Sequence, residues 1–158
     1  MKEEFSSARS VPEIMKGMLD FSHLLEKSGT DAALAELVKT RASQINGARR
    51  VHMRAIDGRD GGERSDNLLA GWRWSPLYSD RERAALAWTE VLTVMAEGHA
   101  PDAAFVELRR QFSDPELVQL TLTIAIVNAW NRVATGLRLM DAAKIVDAET
   151  CATSREQQ

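Results

Sequence analysis

The sequence predicts a compact all-α fold, and three observations carry that expectation. Apolar residues recur at helical spacing through most of the chain, no segment shows the two-residue alternation of a half-buried strand, and cap residues stand where the periodic stretches begin and end. A chain of 158 residues with 44% hydrophobic and 27% charged side chains has the size of one domain with a real core. We expect that domain at 1–147, followed by a polar tail at 148–158.

The first helix is predicted at 11–28. Ile14, Met15, Met18, Leu19, Phe21 and Leu25 form one broad stripe, with Ser10 placed to cap, Pro12 in the first turn and Gly29 as the stop. The second, at 31–46, starts from Thr30 or Asp31, carries the stripe Leu34, Leu37, Val38 and Ile45, and stops at Asn46-Gly47, residues that tolerate the left-handed turn ending a helix. Ser79-Asp80-Arg81-Glu82 has the spacing of a capping box before a helix at 82–97. A break from Gly98 to Pro101 leads to a helix at 102–112, and Ser113-Asp114-Pro115 opens the last one, at 115–140.

The 82–97 helix is apolar on opposite sides. Ala84, Trp88, Val91, Leu92 and Met95 make one face, while Leu86, Ala87 and Val94 make the other, so the helix must be sandwiched. We read part of this apolar surface as a subunit interface involving the helices of Trp88 and Trp130, and expect a homo-oligomer. The alternative is a monomeric, alanine-rich bundle.

Composition argues against several partners. A net charge of -3 gives no long-range attraction to phosphate backbones or anionic lipid, so neither nucleic acid nor membrane is expected as a partner. The longest uncharged run, Leu117 to Asn131, is shorter than a bilayer needs and contains Thr121, Thr123, Asn128 and Asn131. No charged-then-apolar leader is seen, and the single cysteine, Cys151, reads as a free surface thiol in the tail; both suit a cytoplasmic protein. His23 and His99 lack clustered ligands, so no metal site is expected.

The stretch Glu36 to Val51, ELVKTRASQINGARRV, carries the most specific signal. Its Leu-Val-x-x-Arg-x-Ser-Gln-Ile-Asn-Gly resembles the approach to the active site in the alkylhydroperoxidase-D-like branch of the carboxymuconolactone decarboxylase superfamily, where Cys-x-x-Cys-x-x-x-His follows the glycine. Ser75 to Glu90 is similar to that family's following helix and Leu120 to Arg132 to its last core helix, so three matches occur in order. The resemblance implies an oligomeric all-α fold, a trimer or a hexamer. It also implies hydroperoxide reduction through a cysteine pair, regenerated by a dithiol donor and without a bound cofactor, as in antioxidant defence.

The reacting residues depart from that pattern. Counting from Glu36, which matches the family's glutamate, puts the two cysteine positions at Ala48 and Val51 and the histidine at Ala55. With one residue taken as deleted after Gly47, the second cysteine becomes Arg50 and the histidine Arg54. Neither register contains a thiol, which is the nucleophile of that chemistry. Residues 48–67, ARRVHMRAIDGRDGGERSDN, depart as a block between matching flanks, which indicates either a degenerated site or a compensated shift of reading frame.

Four residues are singled out. By pattern, Glu36 is a solvated carboxylate on the helix side of Ala32, Ala33, Thr40 and Ser43; the resemblance makes it a site residue. His52, inside the motif, reads as an acid–base group or a surface histidine. Glu90, flanked by Leu86, Thr93 and Val94, reads as a buried carboxylate supporting the site or as a helix-edge ion pair, and Arg41 as a side chain snorkelling from the apolar stripe. The functions open to the chain are therefore an inactivated thiol-peroxidase relative, a cysteine-free decarboxylase-like enzyme using Glu36 and His52 on a small lactone acid, or a non-catalytic helical scaffold.

Overall fold

The computed structural model describes residues 12–29, 31–47, 69–95 and 101–137. These form five helices and no strand: α1 (Pro12–Lys27), α2 (Ala32–Ile45), α3 (Asp80–Val94), α4 (Asp102–Gln111) and α5 (Asp114–Gly136). All five predicted helices are present, and the expected all-α class holds for the described residues.

Caps set the helix ends. Asp31 Oδ1 accepts from the Ala33 amide at 2.9 Å at the start of α2, and Gly47 follows its end with φ +71°, which an L side chain rarely adopts. Ser79 and Glu82 form the reciprocal box: Ser79 Oγ accepts from the Glu82 amide at 3.2 Å, and Glu82 Oε2 accepts from the Ser79 amide at 2.9 Å. Ser113 and Glu116 repeat the box at α5, so α3 and α5 begin slightly earlier than the apolar periodicity alone suggests. α3 ends at Val94 rather than Glu97, because Met95 turns left-handed at φ 39°.

α3 is the central helix. It packs against α2, α4 and α5, which covers its opposite apolar sides inside the subunit as expected, except at its end, where Val94 and Met95 are exposed. Leu86 and Leu108 are fully buried, beside Val38 of α2 and Ile124 of α5, and each such side chain contributes about 1.5–3 kcal/mol of burial. Trp88 lies inside this core and donates from Nε1 to Thr121 Oγ1 at 3.0 Å, so its ring is not the exposed surface a subunit contact would use.

α1 differs from expectation. Of its predicted core stripe only Leu25 is buried, while Ile14, Leu19 and Phe21 are exposed. Among the described elements α1 has one main neighbour, α5, where Trp130 Nε1 donates to Ser22 Oγ at 3.0 Å. Gln119 Nε2 also donates to the Ser28 carbonyl at 2.8 Å and holds the end of the helix.

Candidate functional site

Small residues on α2 and α5 leave room under α1. Ala32, Ala35 and Ala134 face a cavity of about 570 Å³ between α1, α2 and α5, whose walls are otherwise mainly Leu19, Leu25, Ile126, Val127 and Trp130. This size falls within the range of small-molecule sites. Its polar edge is made by Glu26, Glu36 and Lys39.

Glu36 stands at that edge with its side chain 36% exposed. Lys39 Nζ donates to Glu36 Oε1 at 3.0 Å and to Glu26 Oε1 at 3.3 Å, bridging α2 to α1. Burial works against the Lys39 charge, but the hydrogen bonds and charges of Glu36 and Glu26 outweigh it, and the pKa of Lys39 is raised. The side of α2 shared by Glu36 is exposed at Ala32 and Ala33, as its pattern suggests, but buried at Thr40 and Ser43. Thr40 and Ser43 are both 4% exposed; Thr40 donates to the Glu36 carbonyl at 2.8 Å and Ser43 pairs with Asn131, which offsets the cost of burying the hydroxyls.

A buried polar network joins the last turn of α2 to α3 and α5. Asn46 Nδ2 donates to Asn128 Oδ1 at 2.7 Å, Asn128 Nδ2 donates to Thr93 Oγ1 at 3.1 Å, and Asn131 Nδ2 donates to Ser43 Oγ at 3.3 Å. These bonds fix Asn46 and Gly47, and hence where the chain leaves α2 toward position 48. Sequence reasoning did not assign these asparagines a role; the available signal was two amides three residues apart in an otherwise apolar helix.

Glu90 is a half-buried carboxylate gripped by cations. Its Oε1 accepts from Arg41 Nε at 3.0 Å, Arg41 Nη2 at 2.6 Å and Trp72 Nε1 at 2.8 Å, and Arg73 pairs with Oε2. Burial raises its pKa, but the hydrogen bonds from Trp72, Arg73 and Arg41 outweigh this and the net shift is downward. Glu90 is thus both partly buried and ion-paired. Arg41 does not snorkel: its side chain is 15% exposed and its head is held by Glu90 rather than water.

The structure does not bring the two glutamates together. Glu36 and Arg41 are five residues apart on α2, about 140° around the helix, so Glu36 faces the cavity while Arg41 carries Glu90 on another side. Ala48, Val51, Ala55, His52, Arg50, Arg54, His99 and Cys151 lie outside the described residues. Among the described residues no group of three His, Cys, Asp or Glu could hold a metal, and no helix is long and apolar enough to cross a membrane. What the geometry offers is a carboxylate, paired with Lys39, beside an apolar cavity.

Comparison with known proteins agrees with this architecture. The model of the carboxymuconolactone decarboxylase family matches residues 12–91. The uncharacterized protein YdfG of Bacillus subtilis is 31% identical over 147 residues, covering 91% of this chain and all of that one. YnjA of Escherichia coli, also uncharacterized, is 41% identical over 66 residues, covering 40% of this chain and 36% of that one. The crystal structure of ATU0492 from Agrobacterium tumefaciens, described as a protein of unknown function and a putative antioxidant defence protein AhpD, is 39% identical. It superposes with a TM-score of 0.76 over 85% of this chain and 94% of that one. With the family model matching half of its length and the fold in agreement, the chain belongs to the carboxymuconolactone decarboxylase family.

Proposed function

We propose that this chain is an alkylhydroperoxidase-D-like protein that has kept the scaffold and its glutamate but works without thiols, binding a small apolar-bodied molecule with Glu36 as the proton acceptor. The observation that carries this is Glu36 at the edge of the 570 Å³ cavity, in a chain whose positions 48, 51 and 55 are Ala, Val and Ala. Titration with octanol tests the binding step through Trp130, which lines the cavity. A saturable change in fluorescence, lost in Trp130→Phe, is expected; no change at any concentration up to the solubility limit overturns the reading.

A second reading is the family's dithiol-dependent hydroperoxide reduction, with the block at 48–67 arising from a compensated frame shift. The intact Asn46–Asn128–Thr93 network next to that block supports it, as does the likeness to a putative antioxidant defence protein. Intact mass and peptide mapping across residues 40–75 decide between the two.

The same reading includes assembly as a trimer or a hexamer. Exposed Ile14, Leu19 and Leu24 on α1 and Val118 on α5 support it, since such apolar residues are more often covered than left in water. A strictly monomeric mass by light scattering at micromolar concentration overturns it.

A further inference from the structure

The edge of the cavity carries a net charge, and that charge limits the class of molecule it can accept. This inference rests on the reading that the cavity binds an apolar-bodied ligand. Among the described lining residues, Glu26 and Glu36 are acidic and Lys39 is basic, which leaves one net negative charge where the cavity meets solvent.

The positive charge is already committed. Lys39 Nζ is held by both carboxylates, at 3.0 Å and 3.3 Å, and its raised pKa keeps it protonated in that bridge. Other donors along the wall are turned to protein acceptors: Ser22 donates to the Met18 carbonyl at 2.9 Å, Thr123 to the Gln119 carbonyl at 2.8 Å, and Asn131 to Ser43 at 3.3 Å. An entering carboxylate would have to displace a glutamate from Lys39 and sit beside the displaced charge. An ammonium group meets the opposite situation, since the two carboxylates exceed the single lysine.

We propose that the cavity takes a hydrophobic monoamine, with its apolar chain among Leu25, Ile126, Val127 and Trp130 and its ammonium between Glu26 and Glu36. This class is opposite in charge to the lactone acid considered from the sequence.

The test is a matched series on the full chain, octylamine, octanol and octanoate, followed by Trp130 fluorescence at neutral pH. Octylamine is expected to bind about tenfold more tightly than octanoate, with octanol between them. The preference should shrink in half-molar salt, a readout that needs no variant. The double variant Glu26→Gln/Glu36→Gln leaves Lys39 unopposed and should reverse the order in favour of octanoate, with far-UV circular dichroism confirming that the helices persist. If octylamine and octanoate bind alike, or the folded double variant keeps the amine preference, this inference fails while the binding role of the cavity stands. If octanol does not bind, the proposed function fails together with it.

Discussion

Arg41 donates from both Nε and Nη2 to a single oxygen of Glu90, 49 residues away in sequence, and so ties α2 to α3 on the side of α2 turned away from the cavity. Removing the Glu90 charge takes the ion-pair partner from a largely buried Arg41 and weakens the bonds from Trp72 and Arg73 as well. Glu90→Gln should therefore cost about 2 kcal/mol in chemical denaturation, the scale of lost hydrogen bonds to a charged group. The Arg41→Met/Glu90→Gln double variant should cost less than the two single changes added together. Additive losses would show that the pair is not coupled.

Acid should weaken the fold in a defined window. The Glu116 carboxylate is lowered from 4.5 to about 2 by the side-chain and backbone hydrogen bonds of Ser113, with Arg81 adding to them. A carboxylate depressed in the folded state stabilises above its unfolded pKa and loses that contribution as pH falls through its folded pKa. Glu90, also lowered, acts in the same direction. The thermal midpoint should decrease as pH falls from about 4.5 to about 2, and Glu116→Gln should lower it at neutral pH while matching the parent near pH 2. A constant difference across that range would contradict the assignment.

Leu86 is fully buried at the centre of α3. Leu86→Ala should destabilise by about 3 kcal/mol, through lost transfer energy plus the cavity left behind. Leu24→Ala, on the exposed face of α1, should cost under about 0.5 kcal/mol in the monomer. A larger loss at Leu24 that depends on protein concentration would instead locate a subunit contact there.

Much of the helical frame was legible because local signals agreed with one another. The capping residues Ser79 and Ser113, the stop at Gly47 and the two-sided apolarity of α3 are each encoded within a few neighbours. What could not be read locally depends on partners distant in sequence: Arg41 looked like a snorkelling side chain because Glu90 lies on another helix. The asparagines of α5 looked incidental because Ser43, Asn46 and Thr93 come from elsewhere. α1 failed in the opposite sense, since its stripe is regular but the described elements supply it with one main neighbour. At the site, Glu36 was found through a family motif, while its bridge through Lys39 to Glu26 required the structure.

Restoring sulfur should restore chemistry. The triple variant Ala48→Cys, Val51→Cys, Ala55→His supplies the nucleophile, its resolving partner and a proton carrier at the spacing the family uses, and the basic residues Arg49 and Arg50 beside them favour the thiolate. It should gain dithiol-dependent reduction of an alkyl hydroperoxide, and changing Val51 back should abolish repeated turnover. A triple variant that is folded but inert would show that the block at 48–67 no longer supports the site.

The most direct measurement is dithiol-dependent hydroperoxide reduction by the unmodified chain, monitored by thiol consumption beside the Cys151→Ser variant. A carboxylate and an arginine cannot accept the peroxide oxygen and then close a disulfide. The expected result is a rate equal to the protein-free background in both proteins. Turnover above background that survives Cys151→Ser would contradict the account, because it would require the family's cysteines at positions where this sequence has Ala48 and Val51.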